Sequence, residues 1–363
     1  MTRALVIEGS GSLWGSERAL LDLLDGLPTT LEVAVCCPPQ MPLNGELERR
    51  EIRTLPYFIY GLHKKSRRHR VQAAAGVLRA CMEFRPDVIY LNQCGSYKVT
   101  LPAATILDLP IVAHIRIFED VAYLARQCPS PRRLRGIIAI SSAVETEIRR
   151  FRQLEFIQLH RLYDGYAPAA LTLQNMSPQE RIVNRVVCVG RLVPIKGQDV
   201  LVSALCMLKE FERNGECLFV GEGEDGFVND LRQIAARGNP SFAIQWLGFV
   251  GDVLPLLLTC SVLVCPSHKE PLGRVILEAW DAGLVPVVFS GSGGAAEIVT
   301  AAEGGILYHE QEPSSLATAL REALALDPKR REQFVNNGRN WMFRNCNLET
   351  YGNTISKILS NAA

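Results

Sequence analysis

The chain has 363 residues, 48% of them apolar, with 39 Lys and Arg against 38 Asp and Glu for a net charge of +1. That length supports two domains of ordinary size that bury roughly three-quarters of the unfolded surface, and the balanced charge excludes a global draw toward nucleic acid. The eleven cysteines show no C-x-x-C pair, and several (Cys36, Cys37, Cys188, Cys265) stand in apolar runs, so buried thiols in a reducing cytoplasm are expected, without disulfides or zinc.

The opening MTRALVIEGS reads as a first strand and not as a leader, because its apolar run is short and Glu8 follows it. No window reaches the ~20 apolar residues of a membrane span, so any membrane contact is expected to be peripheral. Strands are predicted over 4–7, 31–36, 88–91, 111–115, 136–140 and 156–159, alternating with helices, which implies a parallel sheet covered on both faces. The loop from Gly9 to Ser16 joins a strand to a helix over 16–24 with Ser16 as its cap. Such a loop is either a tight turn or a place where backbone amides meet a phosphate. The basic run HKKSRRHR, 63–70, is either a solvated helix start or a contact with anionic lipid, where each cation contributes about 1 kcal/mol. His114 ends the strand PIVAHI, with Arg116 just beyond it. It stands at the carboxyl end of a strand, where open parallel sheets bind ligands, although a lone His ending an apolar strand is more often structural.

Composition changes between 163 and 184, the expected domain boundary. The second half restarts the alternation with a strand over 185–189 and then GRLVPIKG. Here Arg191 and Lys196, five apart across a turn, can converge on one anion, Arg as a forked donor and Lys as a point charge, although two cations in a loop are more often simply solvated. Gly221 follows a strand over 217–220 and permits close backbone approach to a ligand; a plain turn is the equal alternative. Phe249 and Val250 follow a strand over 244–247. Beyond them come a buried strand over 262–265, a helix opening at Pro271 and closing at Gly283, a strand over 285–289 and a Gly-rich loop. A strand over 305–308 and helices over 314–326, 329–343 and 348–360 complete the order.

Glu270 and Glu278 bracket the first turns of the Pro271 helix, about 10 Å apart along its axis at 1.5 Å per residue. That exceeds the reach of a single proton transfer. It suits the two ends of one extended ligand whose phosphates rest at the helix start, on the amides of Leu272, Gly273 and Arg274; the alternative is that Glu270 caps the helix and Glu278 lies on its solvated face.

The string Pro266, Ser267, Glu270, Pro271, Gly273, Glu278, Ala279, Gly283, Pro286, then Gly293, Gly294 and Glu297 resembles the donor-site signature of the retaining glycosyltransferases of family four. The resemblance implies a GT-B fold, two Rossmann-like doubly wound parallel-sheet domains with an inter-domain cleft. Their extents would be 1–165 for the acceptor side, with the helix 346–363 packing back on it, and 166–345 for the nucleotide-sugar donor. It further implies that Arg191 and Lys196 hold the donor diphosphate, that Glu270 holds hydroxyls of the donor sugar and Glu278 those of the ribose. The amides of Leu272 and Gly273 would meet the sugar phosphate, and the nucleobase would rest at Phe249 and Val250. Gly15 and Glu17 match the family's G-G-x-E-x, with Ser16 in place of the second Gly; His114 corresponds to a His that approaches the sugar, and Arg116 to an acceptor-side charge. Where relatives carry N-G-V/I-D, this chain reads Tyr163-Asp164-Gly165-Tyr166.

The function implied is transfer of a sugar from a nucleoside diphosphate sugar to a saccharide or lipid-linked acceptor, with retention, in bacterial polysaccharide or glycolipid biosynthesis. No cofactor and no metal are expected, in keeping with the absence of any D-x-D triplet. The location is expected to be cytoplasmic, peripheral to the inner face of the membrane if 63–70 binds it. A phosphorylase, a nucleotide-sugar epimerase and an inactive nucleotide-sugar or glycan-binding protein are the alternatives.

Overall fold

A computed structural model describes residues 1–58, 67–127, 133–169, 182, 184–209 and 215–363. It divides into two compact units, Met1–Ala167 with Cys346–Ala363, and Pro168–Asn345. Unit 1 holds strands β1 (Thr2–Ile7), β2 (Leu31–Cys37), β3 (Arg53–Pro56), β4 (Val88–Leu91), β5 (Ile111–Ile115), β6 (Leu134–Ala139) and β7 (Gln158–Arg161). Unit 2 holds β8 (Arg185–Val189), β9 (Gly215–Val220), β10 (Phe242–Gly248), β11 (Val262–Cys265), β12 (Val285–Phe289) and β13 (Ile306–Tyr308).

The helices of unit 1 are α1 (Gly15–Gly26), α2 (Pro42–Arg49), α3 (Arg67–Phe84), α4 (Tyr97–Ile106), α5 (Phe118–Gln127) and α6 (Ser142–Arg149). Unit 2 follows with α7 (Gln198–Leu205), α8 (Asp225–Gly238), α9 (Leu254–Leu258), α10 (Arg274–Ala282), α11 (Gly294–Ala302), α12 (Pro313–Leu324) and α13 (Pro328–Asn345). The chain then returns to unit 1 as α14 (Leu348–Ala362).

The strand orders are β3-β2-β1-β4-β5-β6-β7 and β10-β9-β8-β11-β12-β13, and every pairing is parallel. Both sheets grow outward from their first strand and then restart on its other side, the doubly wound Rossmann order. Each therefore has a switch point, between β1 and β4 and between β8 and β11, outside which such sheets bind ligands. All residues of β4, β5 and β11 are buried, as expected of parallel strands with helices on both faces. The edge strand β10 instead alternates along its length.

Helix α14 supplies Tyr351, Ile355, Ile358 and Leu359 to the same apolar cluster as Leu20, Leu23 and Leu24 of α1 and Val6, Tyr90 and Val112 of the sheet. Their spacing of four, seven and eight residues is one helical stripe, so the core of unit 1 is completed by a segment distant in sequence.

Several local expectations change. The strand predicted over 156–159 forms at Gln158–Arg161, because a 3-10 turn at Arg152–Leu154 precedes it; Phe156 is left 88% exposed. Helix α1 begins one residue earlier than predicted, with Trp14 and not Ser16 at its cap. Glu17, three residues on, accepts the Trp14 N–H at 3.0 Å, the reciprocal half of a capping box. Of the basic run, 63–66 lie outside the described residues, while Arg67–Arg70 form the first turn of α3 with Arg67 and Arg68 exposed. Most of the boundary segment, 170–181 and 183, also lies outside them. Among the described residues, no helix is long and apolar enough to cross a membrane.

Candidate functional site

In unit 2, the loops leaving β8, β11 and β12 meet at the switch point. Lys196 Nζ lies 2.5 Å from Glu270 Oε2, and the same oxygen accepts the Ser267 hydroxyl at 3.1 Å. Burial by itself would depress the Lys196 pKa, but the adjacent Glu270 carboxylate outweighs it and the ammonium is held above its ordinary value. The positive charge of Arg191, itself exposed, is felt at Lys196 in the opposite sense. The two cations therefore share one electrostatic neighbourhood.

Backbone bonds fix this arrangement. The His268 N–H donates to Ile195 C=O at 2.9 Å, the Glu270 N–H to Ser292 C=O at 2.6 Å, and the Gly294 N–H to Glu270 C=O at 2.8 Å. Gln198 Nε2 donates to Arg191 C=O at 2.8 Å, and Gln311 Nε2 to Pro266 C=O at 2.6 Å. Two glycines of the motif are required by these approaches. Gly197 has φ +66° and a Cβ there would stand 2.1 Å from Pro266 O; at Gly294 a Cβ would stand 1.9 Å from Pro271 O. Both distances lie inside van der Waals contact, so only glycine fits while the loops touch.

The helix after β11 starts later than the Pro271 rule suggests. Glu270 forms an isolated parallel bridge with Gly293, which keeps the chain extended, and the helix begins only after Gly273 turns it at φ +82°. Glu270 is thus not on the helix, and the 10 Å spacing argument does not apply. Leu272 precedes the helix with its side chain buried. The amides without an α-helical acceptor are those of Gly273 to Ile276, of which Ile276 donates to Gly273 C=O at 2.8 Å. Glu278 stands in the second turn, its Oε1 3.6 Å from Arg274 Nε. At the ends of β9 and β10, the Gly221 N–H donates to Gly248 C=O at 2.7 Å, beside Val250 and a half-exposed Phe249. The sheet's carboxyl edge thus carries Arg191, Lys196, Gly221, Phe249, Val250, Glu270 and Gly273 together.

Gly15, His114 and Arg116 belong to unit 1. Gly15 is exposed, and an added Cβ would meet nothing within 4 Å. His114 is fully buried. Its Nδ1 lies 2.6 Å from Tyr90 OH and 3.2 Å from Arg116 Nη2. Burial, reinforced by the Arg116 charge, pushes its pKa well down, so the ring is neutral. Arg116 is buried as well. Its Nη1 pairs with Asp164 and its Nη2 reaches Tyr351 OH at 3.3 Å, while the Tyr351 hydroxyl donates to Asp164 Oδ1 at 3.1 Å. Sequence reasoning gave Asp164 no role; its only signal was the departure from the family string.

The switch point of unit 1 holds a second feature that the sequence did not reveal. Glu8 and Glu17 are both fully buried. Glu8 accepts the Ser10 N–H at 2.9 Å and Asn92 Nδ2 at 2.5 Å, and Gln93 Nε2 reaches Ser16 Oγ at 2.6 Å. Burial first, then repulsion from Glu17, pushes the Glu8 pKa up from 4.5 to about 7. A carboxyl raised on folding is protonated in the folded chain and ionised in the unfolded one between these values. Its contribution to stability is therefore full below pH ~4.5 and falls by about 3 kcal/mol as the pH rises through 7. Glu8→Gln should match the wild type in urea unfolding near pH 4.5 and exceed it by about that amount at pH 8. A gap that does not change with pH would contradict the assignment.

Residues 177–341 match the family model of glycosyl transferases group 1. A GDP-mannose-dependent alpha-(1-6)-phosphatidylinositol monomannoside mannosyltransferase of Mycolicibacterium smegmatis is 32% identical over 210 residues, covering 54% of this chain and 53% of that protein. An uncharacterized glycosyltransferase of Methanocaldococcus jannaschii is 32% identical over 218 residues, covering 56% and 54%. The chain spans about half the length of the curated relatives it matches. Among solved structures, Anabaena HepE in complex with UDP and glucose aligns over 99% of this chain and 100% of that one, with a TM-score of 0.80 at 22% identity. Sucrose-phosphate synthase of Thermosynechococcus elongatus aligns over 99% of each, with a TM-score of 0.77 at 18% identity. At such identities these structures establish the fold alone, which is GT-B, with two Rossmann-like domains. It is the second unit, with Lys196 and Glu270 at its switch point, that carries the pattern of glycosyl transferases group 1.

Proposed function

We propose that the protein is a retaining glycosyltransferase that moves a hexose or related sugar from a nucleoside diphosphate sugar to a saccharide or lipid-linked acceptor, without a metal, in polysaccharide or glycolipid biosynthesis. The observation that carries this reading is the meeting of Lys196 and Glu270 at 2.5 Å, beside Arg191, at the switch point of a Rossmann sheet within the family pattern. When the anomeric C–O bond to the diphosphate breaks, negative charge grows on the leaving group. Fixed cations near it favour the transition state over the ground state.

In this reading Arg191 and Lys196 hold the diphosphate, Glu270 accepts hydroxyls of the transferred sugar, and Glu278 those of the ribose. The amides around Gly273 meet the sugar phosphate, Gly221 admits the close approach of the donor, and Phe249 and Val250 flank the base. The acceptor oxygen bonds to the anomeric carbon on the face the diphosphate leaves, and its proton passes to a leaving-group oxygen. Gly15, open on its side, lets a ligand approach the start of α1. His114 and Arg116 are assigned to holding α14 against the sheet.

The names of the relatives point to two donors, GDP-mannose and UDP-glucose. Incubation with each donor and a phosphatidylinositol mannoside or a hexose oligomer should release the nucleoside diphosphate in step with glycosylated acceptor. Release that requires inorganic phosphate, or conversion of the donor with no acceptor present, would replace the reading by phosphorolysis or epimerisation. The proposal extends to an anionic bilayer that meets the basic run 63–70, in which Arg67 and Arg68 are exposed. Co-sedimentation with phosphatidylglycerol vesicles that is absent, or unchanged in Arg67→Ser/Arg68→Ser, would remove that part.

A further inference from the structure

Unit 1 has a groove of about 570 Å³ on the face of its sheet near the edge strand β7, bordered by the end of α14. It lies on a row of the ladder where Val112 of β5, Gly136 of β6 and Gln158 of β7 stand in register. Gln158 and His160 project from the same face, two residues apart. Gly136 supplies no side chain between its neighbours, and this makes the depression. A glycine inside a strand weakens the strand and often marks a place where a ligand comes close. No backbone conformation demands it here: Gly136 has no positive φ, and a Cβ would be 3.7 Å from the nearest atom, ordinary contact.

The rim is chemically distinctive. Phe156 is 88% exposed and lines the groove together with Arg135, Gln158, His160 and Asn361. Among the described residues, these four polar side chains make no hydrogen bond or ion pair. Their groups are flat donors and acceptors: one guanidinium, two amides and one imidazole. Burial lowers the His160 pKa, so the ring is uncharged at neutral pH and can both donate and accept. One cation among three uncharged groups suits a ligand rich in hydroxyls better than a phosphate-bearing one. An exposed aromatic face beside such groups pairs with the apolar face of a pyranose ring while they bind its hydroxyls. The volume falls in the range of small-molecule sites, ~300–1,000 Å³.

We propose that this groove, formed by Gly136, Phe156, Arg135, Gln158, His160 and Asn361, is a second saccharide-binding site that takes a neutral hexose oligomer. It stands away from the carboxyl ends of the strands, and the proposal does not rest on the transfer reaction. Titration calorimetry of the full chain with maltohexaose, cellohexaose and mannohexaose tests it. At least one oligomer should bind the wild type and Glu270→Ala alike, which separates this site from the donor site. Phe156→Ala, which alters an exposed side chain, and Gly136→Ala, which raises the floor by a Cβ that meets only ordinary contacts, should each weaken that binding at least about tenfold. The proposal is overturned if none of the three oligomers binds the wild type, or if both variants bind as the wild type does. It is equally overturned if UMP occupies the groove more tightly than the oligomers, or if the loss caused by Phe156→Ala is of vesicle binding instead.

Discussion

Asp164→Ala is expected to destabilise unit 1 by roughly 3–5 kcal/mol, the usual penalty for removing one partner of a buried ion pair. Asp164 and Arg116 are 5% and 6% exposed, so the guanidinium left behind cannot recover its loss from solvent. Its remaining neighbours are the neutral His114 ring and the Tyr351 hydroxyl, neither of which carries a compensating charge. The damage should fall on α14, because Tyr351 loses its acceptor at the same time. Urea unfolding gives the magnitude, and amide exchange at Ile355 and Leu359 shows where it falls. Asp164→Asn, which keeps the volume and an acceptor, should lose less. A change below ~1 kcal/mol in Asp164→Ala would mean that the cluster is not the tie between α14 and the sheet.

Lys196→Ala is expected to lower turnover at least about a hundredfold, ~2.7 kcal/mol of transition-state stabilisation. The pair with Glu270 complicates the interpretation, since a lysine that only positions a carboxylate would give a similar loss. A double-mutant cycle with Glu270→Ala separates the cases. If Lys196 merely orients Glu270, its removal adds nothing once Glu270 is gone; if it meets the departing diphosphate, a further loss remains. Because the two side chains are 24% and 13% exposed, the folded state should tolerate both changes far better than the loss of Asp164. Unchanged turnover in Lys196→Ala would reject the assignment of the site.

The strands that cross the middle of each sheet were legible because they are buried on both faces. Val88–Leu91, Ile111–Ile115, Arg185–Val189, Val262–Cys265 and Val285–Phe289 occupy the ranges their apolar runs predict. The edges were not. β3 buries only Leu55 and β7 buries none of its residues, so neither shows a period. The start of α10 was misread because a local rule, proline at the first helical position, lost to the pairing of Glu270 with the loop after β12. The positions of Lys196 and Glu270 were readable in their motif, yet their direct ion pair was not. The burial of His114 was not legible either, for a different reason. The groups that define its surroundings, Asp164 and Tyr351, stand 48 residues from Arg116 and 187 residues from each other, and no local pattern announces such a cluster.

The return of α14 to unit 1 has a bearing on biosynthesis. A chain made from its amino end exposes the sheet of β1 to β7 well before Tyr351, Ile355, Ile358 and Leu359 exist to cover it. Unit 2, continuous in sequence, can complete its own core first, whereas the earlier-made lobe must wait on the ribosome with an apolar face uncovered. The first half to be translated is therefore the last to mature, and in that interval it is the part most in need of a chaperone.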